Sequence, residues 1–156
     1  MLGICGGFQM LGRGIADPHG IEGEAGVTEG LGYLEVETVL APDKRLTRVI
    51  AVHAPSGLEV AGYEIHLGRT DGPDCLHPFA HIDDVPDGAR SGNGRVEGTY
   101  LHGLFASDAF RTAWLQGLGA RTSAFSYAAE IEAVLDELAA HIEAHLDVKD
   151  LLGLAR

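Results

Sequence analysis

Basic side chains are scarce in this sequence. It has 11 lysines and arginines against 23 aspartates and glutamates, which gives a formal net charge of −12. The basic residues form no cluster anywhere along the chain. A nucleic-acid ligand needs such clusters to neutralise its phosphates, so we expect no nucleic-acid partner.

Cysteines and long apolar runs are also few. Cys5 and Cys75 are far apart in the sequence, so no disulfide framework is expected and a reducing, cytoplasmic setting fits. No stretch reaches the ~18 unbroken apolar residues of a membrane span. The first residues lack the basic segment and long apolar segment of a signal peptide, and we expect no membrane partner.

The composition is otherwise that of a globular protein. The 156 residues correspond to one domain, with 46% hydrophobic and 22% charged residues. We expect a helix from Gly6 to about Ala16, ended by Asp17-Pro18, then a loop over residues 17–32 and a strand over 33–40. The stretches "LTRVIAV" and "LEVAGYEIHLG" flank "HAPSG", which predicts a hairpin.

The second half of the chain reads as short strands followed by helices. "HPFAHI" predicts a short strand, "DDVPDGARSGNG" a turn-rich connection, and "RVEGTYLHGLF" a strand that runs into a loop. Ser107-Asp108 is a good N-cap for a helix over "AFRTAWLQGL". A helix from about Tyr127 is expected to carry its apolar residues on one face, and "DVKDLLGLA" predicts a short final helix.

The opening "MLGICGGFQM" contains the pattern G-x-C-x-G around Cys5. The pattern resembles the G-x-S-x-G nucleophile elbow, in which a strand ends, the chain turns sharply and a helix begins. Backbone N–H groups at such a helix start favour a thiolate and can hold an oxyanion. The alternative is that Cys5 is a small buried apolar residue, as many free cysteines are.

A thiol nucleophile usually needs a base within hydrogen-bond reach, and His102 is one candidate. It ends a strand-like run, a position favoured for ligands in open α/β sheets, although a loop histidine with satisfied hydrogen bonds is the alternative. Glu64 and His66 share one face of a predicted strand and either bind a substrate or form a polar face. His141 and His145 lie one helical turn apart, a spacing that could bind a metal, but no constellation of Glu or Cys residues supports a metal site there.

The remaining histidines are expected to be solvated. They lie in predicted loops or at strand ends: His19, His53, His77 and His81.

Five stretches taken together resemble a known family: "GICGGFQMLG", "EGLGYLEV", "GYEIHLGRT", "NGRVEGTYLHGLF" and "FRTAWL", in this order. They are similar to the C-terminal glutamine amidotransferase domain of the cobyric acid synthase family. The resemblance implies an α/β fold with a doubly wound, flavodoxin-like sheet of the class I glutamine amidotransferase type. Only "MLGI" precedes Cys5, so the N-terminal strands of that sheet are expected to be missing, and residues 1–156 to be a partial domain.

The resemblance also implies roles for individual residues. Cys5 is then the nucleophile and His102 its base, and Gly6, Gly7, Gln9, Glu64 and His66 are expected to bind the substrate glutamine. Many class I glutaminases carry a glutamate two residues after the histidine, where this chain has Leu104. The cobyric acid synthase family lacks that acid too, so the group that orients His102 is not identified by the sequence.

In the complete family protein, ammonia released from glutamine passes to an ATP-dependent synthetase domain. That domain amidates adenosylcobyrinic acid a,c-diamide in cobalamin biosynthesis. This chain contains no G-x-x-x-x-G-K-[ST] motif, so ATP and Mg²⁺ are expected only in the synthetase domain, and no cofactor is expected here. We therefore expect the chain alone to make no cobyric acid and to hydrolyse glutamine weakly or not at all.

Two other interpretations stay open. The Cys/His pair is also compatible with a related amidotransferase, such as cobyrinic acid a,c-diamide synthase or the glutaminase that amidates lipid-linked peptidoglycan precursors. The third interpretation is a truncated, non-catalytic binding module. Missing strands would leave sheet edges and an apolar face uncovered, which favours self-association of the chain.

Overall fold

The computed structural model describes residues 1–154, and the chain divides into two units, residues 1–114 and the residues from 115 onward. The elements in chain order are β1 (Leu2–Ile4), α1 (Gly6–Leu11), β2 (Gly14–Asp17), β3 (Gly26–Glu29), β4 (Glu37–His53), β5 (Glu59–Asp71), β6 (Ala80–Ile82), β7 (Val85–Asp87), β8 (Ala89–Arg90), β9 (Glu97–Thr99), β10 (Leu101–His102), α2 (Asp108–Gly117), α3 (Tyr127–His145) and α4 (Val148–Leu154). Two 3₁₀ turns, Pro73–Leu76 and Leu104–Ala106, complete the set.

The strands of the first unit form two sheets. The smaller sheet has the order β1-β9-β8, with β1 parallel to β9. The larger sheet has the order β10-β5-β4-β2-β3, and β6 pairs with β4 and with β7. The fold is thus a mixed α/β arrangement, as the sequence predicts. The doubly wound order and the absence of N-terminal strands remain predictions.

The β4–β5 hairpin gives the larger sheet two unlike faces. Alternate residues of β4 and β5, including Val49, Ala51 and Val60, are buried. The apolar residues between them lie on the opposite face and stay exposed: Leu46, Ile50, Val52 and Tyr63. We call the first face the inner face and the second the outer face.

Two apolar clusters form the core. One lies on the inner face of the hairpin and contains Val49, Ala51, Val60, Phe79, Ala80, Ile82, Leu101, Leu104 and Phe110. The other packs α1 against neighbouring strands and contains Phe8, Leu11, Leu34, Val36, Ala89 and Tyr100. Phe8 and Tyr100 meet edge to face with ring centroids 5.1 Å apart, so the segment after Cys5 is fixed against the segment that leads to His102.

The first helix is shorter than predicted. It ends at Leu11, and residues 14–17 form β2 instead of continuing the helix to Ala16. The Arg13 N–H donates to the Val36 carbonyl at 2.8 Å, which draws the chain into register beside β4. The apolar residues of this stretch therefore complete a sheet, and the prediction of a helix there was wrong.

Several strand bounds also differ from the prediction. The expected loop over 17–32 contains β3, and the expected connection over 83–94 contains β7 and β8. The strand expected over 33–40 begins at Glu37, because the N–H groups of Tyr33 and Leu34 both donate to the Leu11 carbonyl at the end of α1. Pairing with distant segments of the chain determines the bounds of these strands, and the local sequence does not show which segments will pair.

The second unit is helical. The helix α3 begins after Ser126, whose hydroxyl accepts the Ala129 N–H, as expected for an N-cap. Its apolar residues follow helical spacing and are 40–58% exposed: Ile131, Val134, Leu135, Leu138 and Ile142. The final helix was predicted to reach Ala155, which lies outside the described residues; α4 is described as far as Leu154.

Candidate active site

Cys5 occupies a strained turn between β1 and α1. Its φ is 54° and its ψ −119°, a conformation that a non-glycine residue uncommonly adopts. The Cys5 N–H donates to the Thr99 carbonyl at 3.0 Å, and the Cys5 carbonyl accepts the N–H groups of Phe8 and Gln9. This strand–turn–helix is the elbow that the G-x-C-x-G pattern predicts.

Close approach of β1 and α1 makes the turn sharp. A Cβ at Gly3 would lie 2.6 Å from both the Gly7 carbonyl oxygen and Leu11 Cδ1, so only glycine fits there. Gly6 and Gly7 are exposed, and a Cβ at either would meet nothing within 4 Å. The first N–H groups of a helix have no acceptor inside it, so those of Gly6 and Gly7 are available to a group that binds beside Cys5.

The two thiols lie in different surroundings. Cys5 Sγ lies 3.6 Å from the Ile65 carbonyl oxygen, within the range of a weak S–H···O hydrogen bond. Burial raises the pKa of the Cys75 thiol, and the negative charges of Asp71, Asp74 and Asp87 raise it further. Cys75 is thereby held as the neutral thiol, the less reactive form.

His102 lies in β10, paired with Tyr63 of β5. Residues paired in register share a face of a sheet, so His102 lies on the outer face, with Tyr63. Its Nε2 is buried and has no hydrogen-bond partner within residues 1–154. A buried nitrogen without a partner is costly, and such groups often occur where a ligand or a reacting group completes the site.

Glu64 and His66 lie on the inner face and contact each other. His66 Nε2 is 3.2 Å from Glu64 Oε1, and His66 Nδ1 is 3.0 Å from the Gly68 carbonyl oxygen. Arg45 Nε lies 2.5 Å from the other oxygen of Glu64, and the His66 ring stacks on Tyr100 at 4.3 Å. These residues line a cavity of about 480 Å³. The structure therefore divides the predicted site residues between two faces of β5.

Gln9 belongs to a buried polar chain. Its Nε2 donates to the Tyr100 hydroxyl at 3.3 Å, and that hydroxyl lies 2.5 Å from Thr70 Oγ1, which in turn contacts Thr38. Burial raises the pKa of Tyr100. The side-chain amide of Gln9 thus braces α1 against the strand that leads to His102.

The sequence assigned no role to Thr99, Tyr100 or Asp87, although all three contact residues of the site. Thr99 and Tyr100 lie inside the stretch "RVEGTY", three and two residues before His102 respectively. Asp87 lies in the stretch expected to be a turn-rich connection. No local pattern distinguishes that aspartate from its acidic neighbours Asp83 and Asp84.

His141 and His145 meet on α3, with ring centroids 4.3 Å apart, and His145 Nδ1 is 2.8 Å from the His141 carbonyl oxygen. In the part of the chain that the structure describes, no group of three or more His, Cys, Asp or Glu side chains is placed to hold a metal ion. Likewise, none of the helices within residues 1–154 has the length and apolar character needed to cross a membrane.

The fold and the turn at Cys5 define an α/β domain with a cysteine at a sharp strand–turn–helix junction. Residues 1–110 match the CobB/CobQ-like glutamine amidotransferase domain. The chain belongs to the CobB/CobQ-like glutamine amidotransferase family, which confirms the family that the sequence motifs indicated.

Similar proteins extend over the whole chain. It is 64% identical to a cobyric acid synthase of Cereibacter sphaeroides, 64% identical to one of Rhodobacter capsulatus and 58% identical to one of Bradyrhizobium diazoefficiens. Each match covers 156 residues, the full chain, and 32% of the relative's length. The chain thus spans about a third of these relatives.

Proposed function

We propose that this chain is the glutaminase part of a cobyric acid synthase and releases ammonia from glutamine through a thioester on Cys5. The strained conformation of Cys5 at the end of β1 is the observation that carries the proposal. A non-glycine residue at positive φ is held there only by its surroundings, and such strain is concentrated at active sites. The names of the relatives, all cobyric acid synthases, support the choice of pathway.

The proposed chemistry begins when the Cys5 thiolate attacks the side-chain amide carbon of glutamine. The N–H of Gly6, with that of Gly7 beside it, stabilises the resulting oxyanion. His102 gives a proton to the leaving nitrogen, the C–N bond breaks, and ammonia departs. Water then attacks the thioester and releases glutamate, and the thiol of Cys5 is restored.

We propose Gly6, Gly7, Gln9, Glu64 and His66 as the residues that hold glutamine. The cavity beside Glu64 and His66 supports the part of this assignment on the inner face, because the Glu64 carboxylate and Arg45 in its lining offer groups of both charges to an amino acid. Gly6 and Gly7 are assigned by their place beside Cys5, and Gln9 by its place on α1. The ammonia then reaches a synthetase part outside this chain, which uses ATP and Mg²⁺ to amidate adenosylcobyrinic acid a,c-diamide in cobalamin biosynthesis.

Labelling with a glutamine-like diazo-ketone tests the nucleophile. We expect the reagent to modify Cys5 and not Cys75, with the site read by peptide mass spectrometry. Glutamate release should disappear in Cys5→Ala, with the Cereibacter sphaeroides relative as the positive control of the assay. Preferential labelling of Cys75, or full turnover in Cys5→Ala, would contradict the proposal and favour a non-catalytic binding module.

Substitution of the histidines tests the base. We expect His102→Ala in the full-length protein to lower glutamine turnover by about 10²–10⁴-fold, the usual contribution of a general acid–base group, and to leave the fold intact. His66→Ala removes a histidine of the same strand pair but of the inner face, and should have the smaller effect. A larger loss of turnover in His66→Ala would mean that the base lies on the inner face.

A further inference from the structure

Thr99 joins the two halves of the candidate site. Its carbonyl accepts the Cys5 N–H at 3.0 Å, which anchors the elbow. Its hydroxyl accepts the Leu101 N–H at 3.1 Å, one residue before His102. Thr99 is fully buried. Any displacement of this residue therefore moves both Cys5 and His102.

Besides Cys5 and Leu101, Thr99 also contacts Asp87. The Thr99 hydroxyl donates to Asp87 Oδ2, and the Tyr100 N–H donates to the same carboxylate. The aspartate is partly buried at the end of β7, and its own carbonyl accepts the Phe79 N–H at 2.9 Å. The carboxylate is thus fixed by its strand, and through two hydrogen bonds it fixes the segment between β9 and β10.

We propose that Asp87 is the positioning residue of the site, which acts through Thr99 to hold Cys5 and His102 in their relative place. The inference rests on the proposed function, since it assigns Cys5 and His102 to one reaction. Asp87 touches neither of them and takes no part in the chemistry itself. A misplacement of reacting groups by about 1 Å can cost 10²-fold in rate, so an anchor of this kind controls turnover without contacting glutamine.

The anchor requires the ionised form of Asp87, because a carboxylate accepts from both Thr99 and Tyr100. Burial raises the pKa of Asp87, and the negative charge of Glu64 raises it further. The hydrogen bond from Thr99 lowers this pKa, but by less than burial raises it. The charge of His66 lowers the pKa of Asp87, and the Cys75 thiol is close enough to Asp87 for the two groups to interact electrostatically. Turnover should therefore fall as the pH drops through a value above the ordinary range of an aspartate.

The experiment compares Asp87→Asn, Thr99→Val and Thr99→Ser in the full-length protein that joins this chain to the proposed synthetase part, because the chain alone is expected to turn over glutamine weakly. Asn has one acceptor fewer, Val removes the hydroxyl at nearly equal volume, and Ser keeps it. We expect Asp87→Asn and Thr99→Val each to lower kcat for glutamate release about 10–100-fold with KM little changed. Thr99→Ser should keep most of the rate, and the double variant Asp87→Asn/Thr99→Val should be no worse than either single one.

The pH profile separates positioning from stability alone. The fall in turnover at acidic pH that protonation of Asp87 causes in the wild-type protein should be absent in Asp87→Asn. The alkylation rate of Cys5 by iodoacetamide gives a readout that needs no glutamine. The same variant unfolded in urea is the reference, because the charge of Asp87 also acts on Cys75. We expect Asp87→Asn and Thr99→Val to change the Cys5 rate several-fold and Thr99→Ser to leave it unchanged.

Unchanged kcat and unchanged Cys5 alkylation in Asp87→Asn would overturn the inference. So would a variant that melts at a lower temperature but has wild-type kcat and pH profile while folded, because Asp87 would then serve the fold only. Full glutamate release by Cys5→Ala would overturn the proposed function instead, so the two failures are distinguishable.

Discussion

His53 shows how a single buried side chain can make stability depend on pH. It is 6% exposed at the end of β4, between the rings of Phe79 and Phe110. Its Nδ1 lies 2.8 Å from the Ser56 hydroxyl, while its Nε2 is buried without a partner in the described part of the chain. The prediction that His53 is a solvated loop residue was therefore wrong.

We expect the free energy of unfolding to decrease as the pH falls below about 6.5, the usual pKa of histidine. Burial lowers the pKa of His53 in the folded chain, so the unfolded chain takes up the proton first. The loss of stability begins at the unfolded value and levels off below the lowered folded value. Urea denaturation at a series of pH values between 5 and 8 measures it.

His53→Phe is the matched variant for this prediction, because phenylalanine keeps a ring in the aromatic cluster and cannot titrate. Its stability should change less with pH over the same range. His19→Phe, at an exposed position, is the control and should keep the wild-type slope. A wild-type slope in His53→Phe would show that another group is responsible.

At the scale of elements, the packing of β1 against α1 depends on Gly3. A methyl group there would meet the Gly7 carbonyl and Leu11 at distances that no real contact shows, so strand and helix must separate. We expect Gly3→Ala to destabilise the fold by about 1–3 kcal/mol, the usual cost of overpacking. The same separation should lower Cys5 labelling by the glutamine-like reagent.

Gly7→Ala is the control in the same segment. A Cβ at Gly7 meets nothing within 4 Å, and alanine favours the helix over glycine by about 0.5–1 kcal/mol. Its free energy of unfolding, measured by urea denaturation beside that of Gly3→Ala, should be equal to that of the wild type or higher. Equal stability of Gly3→Ala and the wild type would mean that β1 and α1 have room to move apart.

The local sequence pattern was enough to predict those helices and strands whose caps, turn residues and periodicity lie within the element itself. The elbow of β1 and α1, the hairpin of β4 and β5, and the helices α2, α3 and α4 all follow from turn residues, caps and periodicity. The end of α1 and the short strands β2, β3, β7 and β8 depend on partners elsewhere in the chain. A glycine-rich stretch reads as a loop until the strand that pairs with it is known.

The candidate site divides in the same way. Cys5 and His102 could be proposed from short motifs, because an elbow and a strand end are local features. The hydrogen bonds from Thr99 to Asp87 and from Gln9 to Tyr100 join residues 12 and 91 positions apart. Nothing in the sequence near Asp87 or Gln9 indicates these partners, so the residues that position the site appear only in the folded chain.

At the scale of the whole molecule, the outer face of the β4–β5 hairpin leaves large apolar side chains in solvent. Leu46 and Ile50 are about two-thirds exposed, and Val52 and Tyr63 lie beside them. Contiguous apolar surface of this kind favours association. We expect the chain to self-associate with rising concentration, and Ile50→Lys to shift the sedimentation profile toward the monomer.

Leu76→Lys is the control for this prediction. Leu76 is 82% exposed, more than Ile50, in the 3₁₀ turn that follows β5, so the variant adds the same charge and removes an exposed apolar residue outside the hairpin strands. It should leave the sedimentation profile unchanged. A wild-type chain that stays monomeric throughout the concentration series would contradict the expected self-association.

The parallel pairing of β1 with β9 has a consequence for how the chain is made. Leu2 pairs with Glu97 and Ile4 with Thr99, so β1 waits for a partner that is synthesised some 95 residues later. At a synthesis rate of about 5–20 residues per second, that wait lasts several seconds. Pairings between such distant segments are also slow to form. Cys5 is therefore translated well before the strand that shapes its turn. We expect it to remain an ordinary flexible thiol until β9 leaves the ribosome, and the candidate site to form only once β9 and β10 are in place.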